Sequence, residues 1–314
     1  MSAQMYLITQ QSLGGPEVLE RVEAPRPVAG PGEVLVKVRA AGVNPVDLAV
    51  RAGHFPLLGE PPFSLGWDVA GTIESVGAGV TRFAPGDEVF GMPHYPQAAN
   101  GYAEYVTAPA EQFERRPEAL PAADAGALSL SGLTAHQALL GLGGLQAGQR
   151  VLIHAAAGGV GHLAVQIAKA RGAYVIGTAR TEKHPFLKSL GADELIDYSL
   201  TDFETATEPV DVVFDLVGGE YARRSAAVLR PGGVLVTAVG HNPGLTAEEA
   251  QQLGVRFEIV VVHQSASDLA DLRELVEAGR LRVHVEHSLP LADAARAHDL
   301  VAAGGAKGKI VLVP

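Results

Sequence analysis

No cysteine occurs among the 314 residues. That excludes disulfides, and with them any zinc site built on thiolates. The absence fits a reducing compartment. No run of about 18 apolar residues appears, so no membrane span is expected. The start, Met1-Ser2-Ala3-Gln4-Met5-Tyr6-Leu7, lacks a basic region followed by a long apolar stretch and does not read as a signal peptide. Positive charge is scarce: 24 basic residues stand against 35 acidic ones, a formal net charge of −11. A negative field repels phosphate backbones, so nucleic acid is not expected as a partner. No polybasic segment marks a lipid surface. Internal repeats and low-complexity tracts are also missing. These absences leave a cytoplasmic protein acting on a small molecule as the expectation.

Hydrophobic residues at 47% and charged residues at 19% are an ordinary globular balance with enough apolar surface for a core. The 37 glycines ask for many tight turns or close backbone approaches. The length suggests roughly two domains. Residues 1 to 122 carry short β-like runs punctuated by Gly and Pro. Val34 to Arg39, Asp68 to Gly77 and Asp87 to Gly91 are the strand candidates. After Pro121 the pattern changes. Leu128 to Leu145 reads as helical. Strands are then expected at Val151–His154, Tyr174–Thr178, Glu194–Asp197, Val210–Leu216, Gly233–Val239 and Phe257–Val262. Helices fill the gaps, including Gly161–Arg171 and Glu220–Leu229. Nearly continuous Val/Ile/Leu strands alternating with amphipathic helices mean a parallel sheet covered on both faces. The tail adds helices over Ser267–Ala278 and Leu291–Ala302 and a closing strand, Lys309–Val313.

The sharpest local signal is Val151-Leu152-Ile153-His154-Ala155-Ala156-Ala157-Gly158-Gly159-Val160-Gly161, a strand, a glycine turn and a helix start. Against G-x-G-x-x-G, alanine replaces the first glycine. Gly158 still lets backbone approach a pyrophosphate, and Gly161 lets the helix close on the strand. Free N–H groups of Ala157, Gly158, Gly159 and Val160 would then face phosphates. The bland alternative is a tight strand-to-helix turn with no ligand. An NAD site places an acid at the tip of the second strand, about 20 residues on. Here the tip reads Thr178-Ala179-Arg180-Thr181-Glu182-Lys183, with no acid at its end and Glu182 facing outward. A cationic, hydroxyl-bearing loop suits a 2′-phosphate, so NADPH is expected. Tyr198, after the third strand, is a candidate for the same pocket. A solvated loop with ordinary surface charges is the other reading. Asp215 and Leu216, Val239 and Gly240, and His263 follow strands whose C-termini face ligands in such sheets.

Further segments run Ala40-Ala41-Gly42-Val43-Asn44-Pro45-Val46-Asp47, Gly66-Trp67-Asp68-Val69-Ala70-Gly71-Thr72-Ile73, Gly77 and Phe83-Ala84-Pro85-Gly86-Asp87-Glu88-Val89. They continue with Gly101-Tyr102-Ala103-Glu104-Tyr105 and Gly305-Ala306-Lys307-Gly308-Lys309-Ile310-Val311. Through these, in this order and over nearly its whole length, the chain resembles the zinc-free quinone oxidoreductase (zeta-crystallin-like) branch of the medium-chain dehydrogenases/reductases. The resemblance implies an α/β fold. A β-rich GroES-like catalytic domain would be built from 1–122 and 263–314. A doubly wound, parallel-sheet Rossmann domain would occupy 123–262, with the active site in the cleft between them. It implies homodimers or tetramers, joined by pairing of the Phe257–Val262 strand. It places Asn44, Pro45, Thr134 and Lys309 at cofactor positions.

Zinc alcohol dehydrogenases of this fold carry a cysteine where this chain has Asn44-Pro45, and Gly-His-Glu where it has Gly66-Trp67-Asp68. Their structural zinc lobe needs four cysteines. No metal is therefore expected. The eleven histidines show no close paired spacing, and His54 and His94 read as cleft or surface residues. Without a Lewis acid, alcohol oxidation is poorly supported. Quinones and enones are already electrophilic, so proximity to the nicotinamide and an apolar pocket can suffice. The expected function is NADPH-dependent hydride transfer to a quinone or α,β-unsaturated carbonyl. A biosynthetic enoyl reductase and a non-catalytic NADPH-binding redox sensor are the alternatives. Asn44, Asp47, Arg51 and Tyr95 are the catalytic candidates. Asn44 and Thr134 could equally be helix or turn caps, Asp47 a helix-start residue, and Tyr95 a packing residue. A tyrosine that the family often carries two residues before Arg51 is Ala49 here, which shifts the expected substrate.

Overall fold

Runs such as Val34-Leu35-Val36 and Ile310-Val311-Leu312 are dominated by branched side chains that suit a pleated, half-buried surface. In the computed structural model, which describes residues 3–314, they become neighbouring strands of one sheet. Met1 and Ser2, which begin the segment read as lacking a leader, lie outside the described residues. The chain divides into two compact units. One runs from residue 3 to Leu133 and includes His263–Glu277 and Val283–Pro314, and the other is Thr134–Val262 with Ala278–Arg282. Relative to the segments expected from sequence, the first unit also holds 123–133, and the second also holds Ala278–Arg282.

The first unit contains β1 (Gln4–Gln10) and β2 (Leu19–Pro25), an antiparallel pair. Its main sheet has seven strands. They are β3 (Glu33–Val43), β4 (Asp68–Val76), β5 (Glu88–Gly91), β6 (Tyr105–Pro109), β7 (Phe113–Arg115), β14 (Val285–Pro290) and β15 (Lys309–Val313). The order is β14-β15-β3-β4-β5-β7, with β6 also on β3. β15 runs antiparallel to β3 through Ile310↔Val43 and Leu312↔Ala41, so the C-terminal strand joins the sheet that β3 begins. That register sets Lys309 beside the end of β3, where the chain turns into the Pro45–Arg51 helix.

The second unit is a parallel sheet of β8 (Arg150–Ile153), β9 (Tyr174–Thr178), β10 (Glu194–Ile196), β11 (Val210–Asp215), β12 (Leu229–Thr237) and β13 (Arg256–Ile259). The order β10-β9-β8-β11-β12-β13 is that of dinucleotide-binding α/β folds, reversing between β8 and β11. Leu152, Ile176, Val213, Leu235 and Phe203 form its buried core. Three local readings differ from the sequence expectation. The helix from Glu220 ends at Ala226, and Leu229 already opens β12. β13 stops at Ile259. The Leu128–Leu145 segment is α-helical only over Ser129–His136 and continues as a π-helix over Gln137–Leu142. Gly143 N–H there donates to Ala138 O at 2.8 Å, a wider turn that the nearby glycines permit.

His154, just past β8, is fully buried. Its Nδ1 lies 3.1 Å from Thr178 Oγ1 and its Nε2 2.9 Å from Ser225 Oγ. The ring stands edge-on to Phe203 and Tyr221. Burial, aided by the Arg224 charge, lowers its pKa to about 3, so the ring is neutral in the folded chain. The unfolded chain takes up this proton near pH 6.5 and the folded chain does not. Stability from this group is therefore complete above pH 6.5 and is lost as pH falls toward 3. His154→Gln should flatten the acid side of the stability profile by up to about 1.4 kcal/mol per pH unit within that window. Urea unfolding of both proteins across the pH series measures the difference, and parallel profiles would refute it.

Candidate active site

At the end of β3, extended backbone at Asn44 (φ −128°, ψ 151°) and Pro45 in the first turn start the Pro45–Arg51 helix. The Asp47 carboxylate reaches back, Oδ2 accepting the Asn44 N–H at 2.7 Å. The Asn44 side chain turns into a buried polar cluster with Asp68, Ser131 and Lys309. The Lys309 ammonium donates to Asn44 Oδ1, to Ser131 Oγ at 3.0 Å, to Asp68 Oδ2 at 3.4 Å and to Val43 O at 3.4 Å. An ammonium only donates, so the Asn44 atom facing it is the carbonyl oxygen. Nδ2 is thereby turned toward Asp68 Oδ2 and Gly42 O, both at 3.4 Å. Gly42 is required here, because a Cβ would lie 2.6 Å from Gly126 O and 2.7 Å from Asp68 Oδ2. Burial pushes the Asp68 pKa up and the Lys309 pKa down, and the charge of each opposes the shift of the other.

These residues do not fit a zinc ion. Around Asn44 and Asp68 the donors are one amide, one hydroxyl and one carboxylate, with no thiolate or imidazole among them. An ammonium already stands against the carboxylate and the amide oxygen.

A second chain of hydrogen bonds leaves Asp47. Its Oδ2 accepts the Tyr102 hydroxyl at 3.0 Å, and Oδ1 accepts Gly66 N–H at 3.3 Å. Tyr102 Oη lies 3.2 Å from His298 Nε2, and His298 Nδ1 lies 3.0 Å from Arg51 Nη1. Arginine has no acceptor, so Nδ1 accepts, Nε2 carries the proton, and the chain points from Arg51 through His298 and Tyr102 to Asp47. Burial, then the Arg51 charge, lowers the His298 pKa to about 3, in keeping with that neutral tautomer. Burial raises Asp47 to about 7 against the hydrogen bonds that it accepts. Arg51 is also anchored through Nε to Gly14 O at 3.1 Å. Tyr95, half-buried, stands edge-on to Trp67 with centroids 5.6 Å apart, and burial followed by the Asp47 charge raises its phenol pKa. Thr134 is buried, and His263 is exposed.

In the second unit the glycine turn has the shape its sequence requires. A Cβ on Gly161 would lie 2.4 Å from Ala155 O and 2.7 Å from Ala156 Cα, so only glycine lets the Gly161–Arg171 helix close on the strand. At Gly158 the nearest atom to an added Cβ is Ala155 O at 3.3 Å. Gly158, Gly159 and Val160 are partly exposed, and Ala157 is buried. This cradle fits a pyrophosphate. Arg180 is exposed, and its guanidinium has no hydrogen-bond or ion-pair partner among the described residues. Lys183 is half-buried, Ala179 is buried and Tyr198 is exposed. The hydroxyls of this loop differ from the sequence expectation. Thr178 Oγ1 turns inward to His154, and Thr181 Oγ1 donates to Asp197. At the end of β11, buried Asp215 accepts Val217 N–H at 2.8 Å and Gly218 N–H at 3.0 Å through Oδ1. Leu216 and Val239 are half-buried, and Gly240 is exposed.

Sequence reasoning did not single out Ser131, Tyr102, His298, His154 or Asp197. Asp68 had a signal, since it stands where zinc relatives carry Gly-His-Glu. Asp197-Tyr198-Ser199 also carried one, because a hydroxyl two residues after Asp favours a local side-chain turn. Tyr102 lay in a segment that carried the resemblance, but nothing signalled its meeting with His298, because 196 positions separate them.

Residues 30–118 match the family described as the alcohol dehydrogenase GroES-like domain, and residues 190–312 match the one described as zinc-binding dehydrogenase. A 2-haloacrylate reductase from Burkholderia sp is 36% identical, over 96% of this chain and 96% of that protein. The structure of the quinone oxidoreductase from Coxiella burnetii superposes with a TM-score of 0.92 at 36% identity, covering 99% of this chain and all of that one. A mycobacterial protein solved in complex with NADPH gives 0.88 at 34% identity, over 99% of this chain and all of that one.

Lys309→Met would leave the Asp68 carboxylate buried without its cation, a loss of about 3–5 kcal/mol. Adding Asp68→Asn should recover a large part of it. Denaturant unfolding of the two single variants and the double variant measures the coupling, and additive losses would refute it.

Proposed function

The chain belongs to the medium-chain dehydrogenase/reductase superfamily, in its quinone oxidoreductase branch, and on that premise we propose that it is a zinc-independent, NADPH-dependent reductase of quinones or α,β-unsaturated carbonyls. The observation that carries this reading is the Lys309 ammonium between Asn44 and Asp68. With a fixed cation there and no soft donor, polarisation of an alcohol by zinc has no support. The remaining chemistry suits an acceptor that conjugation has already activated. The relative named as a 2-haloacrylate reductase is in keeping with an activated double bond, and the structure named as a quinone oxidoreductase with a quinone.

NADPH supplies a hydride when bound. The Ala157–Val160 turn would hold its pyrophosphate on backbone N–H groups other than that of Gly158, which donates to Ala155 O at 3.0 Å instead of staying free as its sequence suggested, with Gly161 keeping the helix start close. Arg180, with no side-chain partner among the described residues, would meet the 2′-phosphate, and Lys183 and Tyr198 lie on the neighbouring turns. Leu216, Val239 and Gly240 follow β11 and β12, where such sheets take their ligands. The Arg51–His298–Tyr102–Asp47 chain holds the Asn44 backbone, and Lys309 holds its amide. Asn44 is therefore presented in one orientation. Tyr95 keeps its phenolic proton at neutral pH and can donate a hydrogen bond to an acceptor oxygen. No helix among the described residues is long and apolar enough to cross a membrane, and we place the protein in the cytoplasm.

A homodimer is proposed through β13. It is the outer strand of its sheet, and Ile259 (40% exposed) and Val261 (75% exposed) leave apolar surface along and just beyond that edge.

Consumption of reduced cofactor should be faster with NADPH than with NADH when benzoquinone, phenanthrenequinone and short-chain enones are offered as acceptors. Arg180→Ala should raise the KM for NADPH by roughly tenfold and leave that for NADH nearly unchanged. Equal use of both cofactors by the natural protein would overturn the NADPH assignment. Sedimentation should show a dimer, and Ile259→Lys with Val261→Lys should shift it toward monomer. A natural protein that sediments as a monomer would remove the proposed interface.

A further inference from the structure

β9 and β10 pair in parallel up to Thr178 and Ile196. The chain segments do not part there. Ala179 N–H donates to Ile196 O at 3.1 Å. The next link is the Asp197 carboxylate. Its Oδ2 accepts Thr181 N–H at 2.7 Å and the Thr181 hydroxyl at 2.5 Å. Its Oδ1 accepts Ser199 N–H at 2.9 Å and the Ser199 hydroxyl at 2.6 Å. Four donors thus converge on one carboxylate, which is about its full accepting capacity. Hydrogen bonds from Ser199, then Thr181, hold the carboxyl well below the usual carboxylate range, so it stays ionised at neutral pH. The Thr181 N–H that it caps opens the short turn Thr181–Lys183, where no intrahelical acceptor exists.

Two side chains ride on the segments so joined. Arg180 directly precedes Thr181, and Tyr198, 43% exposed, lies between Asp197 and Ser199. Neither makes a side-chain hydrogen bond among the described residues. Their placement therefore depends on the backbone that Asp197 ties down. Asp197 directs its lone pairs to backbone and hydroxyl groups rather than to Arg180, so the loop is fixed while the guanidinium charge stays available.

We infer that Asp197 is a positioning residue for cofactor specificity: by joining the Arg180 turn to the Tyr198 turn, it preorganises the two side chains that recognise the 2′-phosphate of NADPH. This rests on the NADPH reading above and adds the residue that makes the loop selective. A long arginine held on a mobile loop loses more freedom on binding than one on a fixed loop, and fixing the loop lowers that cost. The carboxylate charge itself opposes an incoming phosphate. At an exposed position that repulsion is screened, whereas loss of four hydrogen bonds releases both turns.

The test is calorimetric titration of the full-length protein with adenosine 2′,5′-bisphosphate and with 5′-AMP, which differ only in the 2′-phosphate. The natural protein should bind the bisphosphate more tightly. Asp197→Ala should weaken the bisphosphate by roughly tenfold and AMP by less than about twofold. Thr181→Val, which keeps the carboxylate charge and removes one donor, should act in the same direction by a smaller factor. Unchanged AMP binding shows that the site is folded in each variant. Tighter bisphosphate binding by Asp197→Ala would mean that the carboxylate repels the phosphate and would overturn the inference. An equal loss for both ligands would overturn it too, because the effect would not be specific to the 2′-phosphate. If the bisphosphate preference of the natural protein persists undiminished in Asp197→Ala, the inference fails while the NADPH reading stands. If the natural protein shows no preference, the NADPH reading itself fails.

Discussion

Lys309 sits on the last strand and Asp68 on the fourth, and their charged groups meet 3.4 Å apart with the lysine only 3% exposed. Neither group could be left in this sheet alone, because an unpaired charge in a low-dielectric interior is far too costly. The pair therefore ties the C-terminal strand to the N-terminal sheet by electrostatics as well as by the β15–β3 ladder. It also dictates the Asn44 amide, since the ammonium admits only the carbonyl oxygen. One ion pair thus joins the closure of the first unit to the orientation of its leading candidate residue.

The rest of that unit's polar interior follows a similar rule. Arg51 can only donate, which makes His298 neutral with its proton on Nε2, which in turn directs the Tyr102 hydroxyl at Asp47. Each member is oriented by the one before it, and burial shifts every titration accordingly. His154 is held neutral in the second unit by the same burial. The two histidines make acid unfavourable to the fold, while Asp47, whose pKa is raised to about 7, weakens it as pH rises toward neutrality.

The Rossmann strands were legible because a parallel sheet buried on both faces needs continuous apolar runs, and Tyr174–Thr178 begins and ends where such a run does. The glycine turn was legible because steric exclusion at Gly161 leaves no other residue possible. The β1–β2 pair was less so. β2 reads Leu19-Glu20-Arg21-Val22-Glu23-Ala24-Pro25 and stays largely exposed, so burial imposes little apolar pattern on it. The wider π turn at Gln137–Leu142 was hidden for another reason. An apolar helical period looks alike whether the backbone bonds span four residues or five.

The sequence by itself determined the kind of protein. The absent cysteines rule out a thiolate zinc site, the strand–turn–helix at Val151–Gly161 marks a dinucleotide fold, and the acid-free tip at Arg180 bears on the choice of cofactor. Those are local properties, set by residue type, period and steric size. Only the tertiary structure decided which polar groups meet. Lys309 reaches Asn44 across 265 positions, His298 reaches Tyr102 across 196, and Asp197 draws Thr181 and Ser199 onto one carboxylate. Buried charges and donors must find partners wherever the folded backbone brings them, and spacing along a chain carries no record of those meetings.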